Sequence, residues 1–480
     1  MINNKINLGN TEIDKFLEKH HDKKVVVVQG LGFVGAVMSI VVANSDKNKY
    51  AVIGVDLPSR KAVIDALNSG EFPIQSSDNK VFEYFTNTKR RNNFYATSDD
   101  YAYEKADVVI IDINLDVAKV TGQDKKLEGF SVIMDGFKAA MRTIASRCKQ
   151  DVLILVETTV PPGTTQKIVR PIFEEEFEKR GLPPSFKIGH SYERVMPGPG
   201  YVDSIKNFYR VFSGINEESA DAVEEFLHTI ISTDEYPLTR LGNTNATEMS
   251  KVLENSFRAM NIAFMQEWTE FAESAGVNLY EVVSAIRMRP THQNIMRPGL
   301  GVGGYCLTKD PLLASWASQE LFNSISLEQS EKAVSINDTM PLHTHKIFKN
   351  HFKGNTKGKK VLILGVSYLQ NVGDTRYTPV ELIYDKLLKD GVELVLHDPF
   401  VPFWPERNLK IDASDDVFED SYDAIIIGTP HDTYVKEGKL DALLSNSAKL
   451  VVFDSHGIIE DDLRMKHDKH EFKIIGRGDV

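Results

Sequence analysis

The stretch Lys24-Val25-Val26-Val27-Val28-Gln29 runs straight into Gly30-Leu31-Gly32-Phe33-Val34-Gly35 and then into the apolar helical pattern Ala36–Asn44. Four successive valines favour a strand buried on both faces, and the glycines force a tight turn before a helix. A second apolar run, Tyr50–Val55, closes on Asp56, so the segment has the order and length of one βαβ unit. In G-x-G-x-x-G the first glycine permits the turn, the second lets backbone approach a pyrophosphate, and the third lets the helix pack on the strand. The free N–H groups at the helix start then face an anion. Asp56 would accept hydrogen bonds from a ribose diol and repel a 2′-phosphate, which selects NAD over NADP. The expected cofactor-binding set is Gly30, Gly32, Phe33, Val34, Gly35 and Asp56, with Arg60 beside the acid.

Further apolar runs at Asp107–Ile113, Asp151–Val156 and Phe208–Phe212 alternate with helical patterns at Val132–Arg147 and Ala220–Ile231, the rhythm of a doubly wound parallel sheet. From Asn243 to Ala275 the pattern becomes one long helix, opened by Asn243-Thr244 as N-cap residues, stopped by Gly276 and followed by a shorter helix at Leu279–Arg287. Strand-then-loop segments return at Lys360–Leu364, Val392–His397, Ala424–Ile427 and Leu450–Phe453. The expected fold class is therefore α/β, with two Rossmann-like doubly wound domains joined by a central helical region. The expected boundaries are 1–236, 237–339 and 340–480, in keeping with a chain of 480 residues.

Lys and Arg number 56 against 68 Asp and Glu, a net charge of −12, and no Lys/Arg-rich block occurs. A nucleic-acid or anionic-membrane partner is not expected, and any phosphate must be met locally. The polar stretch Met1–Lys24 lacks an apolar h-region and no long apolar run follows, so the reading is a cytoplasmic protein. Two cysteines exclude a disulfide framework, and His343-x-His345 and His456 lack metal-ligand spacing, so no metal is expected. The terminal Arg477-Gly478-Asp479 tripeptide is read as chance.

Cys148 sits in a helical pattern and reads as a small buried hydrophobe. Cys306 lies in Gly301-Val302-Gly303-Gly304-Tyr305-Cys306, with Asp310 one helical turn on. A thiolate in a protein with an NAD site suggests covalent oxidation, in which sulfur adds to an aldehyde, hydride leaves, and a thioester is hydrolysed. On the long helix Lys251, Asn255 and Arg258 share one face, either as a solvated stripe or as a polar wall for oxyanions and sugar hydroxyls. Glu157 to Thr165 follows one strand and Tyr192 to Gly198 another. These are either ordinary loops or sources of a hydroxyl, Thr159, and a carboxylate, Glu193, for positioning water or substrate.

Six motifs in order resemble those of the nucleotide-sugar (UDP-sugar) 6-dehydrogenases, over nearly the whole chain after Lys24. They are Gly30-x-Gly32-x-x-Gly35, Thr159-Val160-Pro161-x-Gly163-Thr164-Thr165, Glu193-Arg194, Lys251-x-x-x-Asn255, Gly303-Gly304-x-Cys306-x-x-x-Asp310 and Gly373-Asp374-Thr375-Arg376. The resemblance implies an NAD-binding domain, a central helical region that forms a homodimer, and a carboxyl-terminal UDP-binding domain. It implies that Cys306 captures the 6-aldehyde and holds the thioester, and that Lys251 stabilises oxyanions. Asn255 would position sugar and water, Asp310 orient that water, Glu193 assist proton transfer, and Thr159 bind the same water. Arg376 resembles the arginine that reaches the cofactor. Glu193, Arg194, Lys251, Asn255, Arg258, Gly303 and Tyr305 form the implied UDP-sugar contacts. Two NAD would be reduced per sugar as the C6 alcohol becomes a carboxylate, for surface-polysaccharide precursors.

Asn255–Ala263 and Pro298–Gly304 are similar to the UDP-N-acetylhexosamine branch, whereas Lys309-Asp310 is similar to the UDP-glucose branch. Leu369 stands where the family often has lysine, and Tyr305 where histidine or serine is commoner. UDP-glucose oxidation, a plain two-electron alcohol dehydrogenation and a catalytically silent NAD-binding protein are the alternatives. The presence of Cys306, Lys251 and Asp310 argues against the last.

Overall fold

The computed structural model describes residues 10–47, 49–74, 76–195 and 198–480. Met1–Gly9, part of the polar amino-terminal stretch, and Met196–Pro197, from the loop after Glu193, lie outside the described residues. The chain divides into two compact units. Of the described residues, one unit holds those within 10–117, 132–252 and 316–324, and the other those within 118–131, 253–315 and 325–480.

Strands β1 (Lys24–Gln29), β2 (Tyr50–Val55), β3 (Phe94–Thr97) and β4 (Val108–Ile111) come first. A separate two-stranded sheet follows, β5 (Asp116–Thr121) with β6 (Leu127–Ile133). Next come β7 (Leu153–Val156), β8 (Lys187–His190), β9 (Val211–Gly214) and β10 (Thr239–Arg240). The first unit's sheet has the order β10-β9-β8-β7-β4-β1-β2-β3. It is parallel from β3 to β8, and β9 then runs antiparallel to β8. The strand order reverses between β1 and β4, and ligands of such sheets bind outside the carboxyl ends at that point. Val26, Val27 and Val28 are fully buried, as the β-branched run requires.

Several boundaries shift for local reasons. A helix at Asn10–Glu18 precedes β1, and the helix after β1 starts at Phe33, three residues before the expected Ala36, because Gly32 itself is the N-cap. Val132 and Ile133 close β6, so the expected 132–147 helix starts at Asp135. Asn216 caps the Glu217–Ile230 helix by accepting from Ser219 N, a turn earlier than the pattern from Ala220. Phe208 and Tyr209 are exposed, and the expected Phe208–Phe212 strand lies instead at Val211–Gly214.

The long helix spans Thr244–Ser274. Asn243 Oδ1 accepts the Ala246 N–H at 3.0 Å, and Gly276, with φ +70°, follows its end. Met249, Leu253, Phe257, Phe264, Trp268 and Phe271 make an exposed apolar stripe along it. In the second unit β11 (Lys360–Leu364), β12 (Glu393–His397), the short pair β13 (Phe403–Trp404) and β14 (Leu409–Lys410), β15 (Ala424–Ile427), β16 (Val451–Asp454) and β17 (Glu471–Ile474) follow. The five-stranded sheet β12-β11-β15-β16-β17 is wholly parallel and reverses order between β11 and β15. Among the described residues no helix is long and apolar enough to cross a membrane.

Candidate cofactor and catalytic site

Gly30 has φ +97°, and a Cβ there would lie 2.3 Å from Asp112 O. A Cβ on Gly35 would lie 1.8 Å from Gly30 O, so the helix sits directly on the turn. Gly32 differs: nothing lies within 4 Å of its Cβ position, and that face is open to a ligand. The helix starting at Phe33 has no side-chain cap, and a helix start of this kind favours an anion. Asp56 receives Leu31 N–H on Oδ2 at 3.0 Å and Leu57 N–H on Oδ1 at 2.7 Å, which orient it and leave acceptor capacity for a ribose diol. Arg60, half-exposed, has Nε 3.9 Å from Asp56 Oδ2. These residues fit the pyrophosphate and ribose of NAD.

At the end of β7, Thr158 Oγ1 donates to Ile111 O and accepts from Ile113 N, each at 2.9 Å, stapling the ends of β7 and β4 together. Thr159 follows, half-buried. Glu248 on the long helix accepts Gly163 N at 2.6 Å and Thr165 N at 2.8 Å and so ties down this loop. Burial pushes its carboxyl up to about 7 against those bonds. After β8, Glu193 accepts the Val195 N–H, and Lys251 donates to Glu193 O at 2.7 Å with Nζ 3.8 Å from Oε1. Arg194 donates to Tyr209 O at 2.8 Å and to Tyr192 Oη at 3.1 Å. His190 is pushed down to about 3 by burial and by the Lys251 charge, so its imidazole is neutral.

In the second unit Asn255 Nδ2 donates to Asp310 Oδ2 at 2.6 Å, and Lys309 Nζ lies 3.3 Å from Asp310 Oδ1. All three are buried. Asp310 opens the Asp310–Trp316 helix and donates its N–H to Cys306 O at 2.9 Å. Cys306 is exposed, whereas Cys148 is buried and its thiol is pushed up to about 11 by burial. The thiol loop is pressed onto the loop after β11. A Cβ on Gly303 would lie 2.5 Å from Tyr377 O and one on Gly304 2.8 Å from the Tyr368 ring, while Gly304 N–H bonds Arg376 O at 2.9 Å. Arg376 is clamped by Asp374 at 2.6 Å, and both Arg376 and Lys309 lie 5.3 Å from the Tyr305 ring centroid.

On the helix face read as one polar stripe, Lys251 and Asn255 are buried while Arg258 is exposed. Sequence reasoning did not single out Glu248, Lys309 as a charge partner, or the buried pair of Glu157 with Arg210. Glu248 had a usable signal, an acid one turn before Lys251 on the same helix. Arg210 had none, because it comes from the antiparallel strand edge.

Residues 23–231 match the NAD binding domain of the UDP-glucose/GDP-mannose dehydrogenase family, 245–339 its central domain and 362–461 its UDP binding domain. The UDP-N-acetyl-D-mannosamine dehydrogenase of Methanococcus maripaludis is 28% identical, covering 96% of this chain and 100% of that protein. The enzyme of that name from Pyrococcus horikoshii is 30% identical, covering 95% and 100%. A solved UDP-D-ManNAc dehydrogenase from Pyrococcus horikoshii has a TM-score of 0.79 at 27% identity, covering 95% of this chain and 100% of that one. The NDP-N-acetyl-D-galactosaminuronic acid dehydrogenase of Methanosarcina mazei has a TM-score of 0.77 at 25%, covering 97% and 98%. Glycine turn, ribose acid and a UDP-binding second sheet define an NAD-dependent nucleotide-sugar dehydrogenase. The chain belongs to the UDP-glucose/GDP-mannose dehydrogenase family.

Proposed function

We propose that this chain oxidises the C6 alcohol of a UDP-N-acetylhexosamine to the uronic acid in two NAD-dependent steps, as a precursor for surface polysaccharide. The observation that carries this reading is the exposed Cys306 thiol on a glycine loop four residues before Asp310, whose carboxylate is bonded to Asn255. NAD, when bound, supplies the hydride acceptor. Cys306 adds to the C6 aldehyde to give a thiohemiacetal, whose oxidation leaves a thioester; water cleaves the C–S bond, releasing carboxylate and thiol. Each sugar consumes one water and reduces two NAD. Lys251 stabilises the oxyanions, Asp310 and Asn255 orient the water, Glu193 takes up a proton, and Thr159 holds the same water. We assign Arg376 to cofactor binding and Arg194, Arg258, Gly303 and Tyr305 to the sugar nucleotide.

The names of the relatives favour N-acetylmannosamine. Lys309 beside Asp310 supports UDP-glucose as the second reading. Turnover of UDP-N-acetylmannosamine, UDP-N-acetylglucosamine and UDP-glucose, counting NADH per product, separates them; a ratio near one in place of two refutes the covalent route. Cys306→Ser should lower turnover roughly a thousandfold or more. We further infer a cytoplasmic homodimer joined through the apolar stripe on the long helix, with domains at 1–236, 237–339 and 340–480. Sedimentation of Phe257→Asp, expected as monomer, tests the dimer.

A further inference from the structure

The carboxyl ends of β4 and β7 carry two acids that the mechanism above does not use. Asp112 follows β4 and Glu157 follows β7, and the Thr158 hydroxyl locks the backbone on either side of Asp112. Among the described residues one cation is paired with them: Arg210, just before β9, bonds Glu157, and both of those side chains are at most 1% exposed. The next acid, Glu193, already has Lys251. Asp112 Oδ2 and Glu157 Oε2 are sealed from solvent and receive no hydrogen bond from the described residues. A second buried negative charge beside one guanidinium is costly, and a proton shared by the two carboxyls removes that charge and supplies the missing donor. Burial, with the nearby charge of Glu157, holds the Asp112 carboxyl well above the ordinary carboxylate range.

Asp112 also backs the cofactor turn. Its carbonyl is what a Cβ on Gly30 would strike at 2.3 Å, and its own Cβ lies 3.1 Å from the Cβ position of Gly35. We propose that Asp112 is a proton-bearing positioning residue of the cofactor site, sharing its proton with Glu157 so that no net charge of its own faces the dinucleotide pyrophosphate. Loss of that proton places an anion behind the glycine turn, and cofactor affinity falls. By linkage, binding the pyrophosphate draws a proton onto the pair when the pH lies near its ionisation. The groups facing Asp112 are Glu157, Glu193 and Arg210; the glycine turn adds none. This inference rests on NAD as cofactor, and a chain that bound no dinucleotide at any pH would overturn that reading separately.

The test is calorimetric titration with NADH, and with ADP-ribose, which keeps the pyrophosphate and lacks the nicotinamide. Titrations run from pH 6 to 9 in buffers of differing ionisation enthalpy. The wild type should take up as much as one proton on binding either ligand, and its Kd should rise up to about tenfold per pH unit above the ionisation. Asp112→Asn, which mimics the neutral acid, should bind with a flat pH profile and no proton uptake. Asp112→Ser serves the same purpose if the asparagine variant does not fold. No buffer-dependent proton uptake in the wild type, or the same uptake and slope in the variants, overturns the proposal.

Discussion

The two sheets begin in the same way and diverge two residues after the first turn glycine. Gly30 N–H bonds Val55 O and Gly365 N–H bonds His397 O, both at 2.8 Å, and both glycines have positive φ. An aspartate then ends the second strand of each sheet and receives the turn: Leu31 N–H on Asp56 at 3.0 Å, Val366 N–H on Asp398 at 2.8 Å. In the first unit the helix starts three residues after Gly30 and Asp56 keeps acceptor capacity to spare. In the second, Asp398 is fully buried, accepts also from Ser367 and Phe400, and pairs with His431 at 3.1 Å, while residues 366–379 form a long loop before the next helix. The same turn thus serves as a cradle in one sheet. In the other its acid is spent on holding a loop that supports the thiol segment through Tyr368, Arg376 and Tyr377.

The sharpest break of this comparison is steric. Gly35→Ala drives a Cβ onto Gly30 O, and Gly428→Ala drives one to 2.5 Å from Gly365 O, so each should destabilise its own sheet by about 4 kcal/mol or more. Hydrogen exchange should localise the loss to the mutated sheet. Gly32→Ala meets nothing within 4 Å and should keep its stability while NAD affinity drops.

Next in size is the pair of aspartates. Asp398→Asn removes a buried charge bonded to three N–H groups and His431, and should cost about 3 kcal/mol in urea unfolding with NAD affinity unchanged. Asp56→Asn should do the reverse. NAD binding weakens roughly tenfold and discrimination against NADP shrinks, with stability held within about 0.5 kcal/mol. Equal effects of the two substitutions on stability would erase the distinction between them.

Much of this was legible because it is local. A valine run, three glycines and Asp56 fall within a single βαβ unit, and Gly303, Gly304, Cys306 and Asp310 within one loop and helix start. What could not be read joins distant strands. Arg210 reaches Glu157 only because β9 turns antiparallel beside β8, and nothing in Val211–Gly214 announces that direction. The β5 and β6 pair was missed because apolar and polar residues are interleaved along it and one residue alone is buried, so neither strand starts with an apolar run; Lys119 and Lys125 are paired with Asp338 and Glu381, more than two hundred residues away. Glu248 stood one turn before Lys251 on the same helix, but its partners are backbone N–H groups, so its position was legible and its role in holding the loop was not.

The smallest effect is the most discriminating, because Glu248 and Asp398 are buried acids that hold loops by accepting N–H groups yet shift in opposite directions. Burial opposes ionisation of Asp398, but the His431 hydrogen bond and the N–H groups of Val366 and Phe400 hold its carboxyl below the usual range. Glu248 lacks that imidazole bond, and burial raises it to about 7. A depressed carboxyl contributes stability that is present above its unfolded value and lost as pH falls through the folded one. A raised carboxyl contributes stability that is present below its unfolded value and lost as pH rises through about 7. Between about pH 6 and 7.5 Glu248 should therefore contribute a loss of about 1 kcal/mol in the first unit, against the neutral His190, which contributes a gain over the same range. The Glu248 share is read as the difference from Glu248→Gln, with protection of Gly163 and Thr165 amides falling first. A slope unchanged in the variant would place the titration elsewhere and leave the loop's anchorage independent of charge.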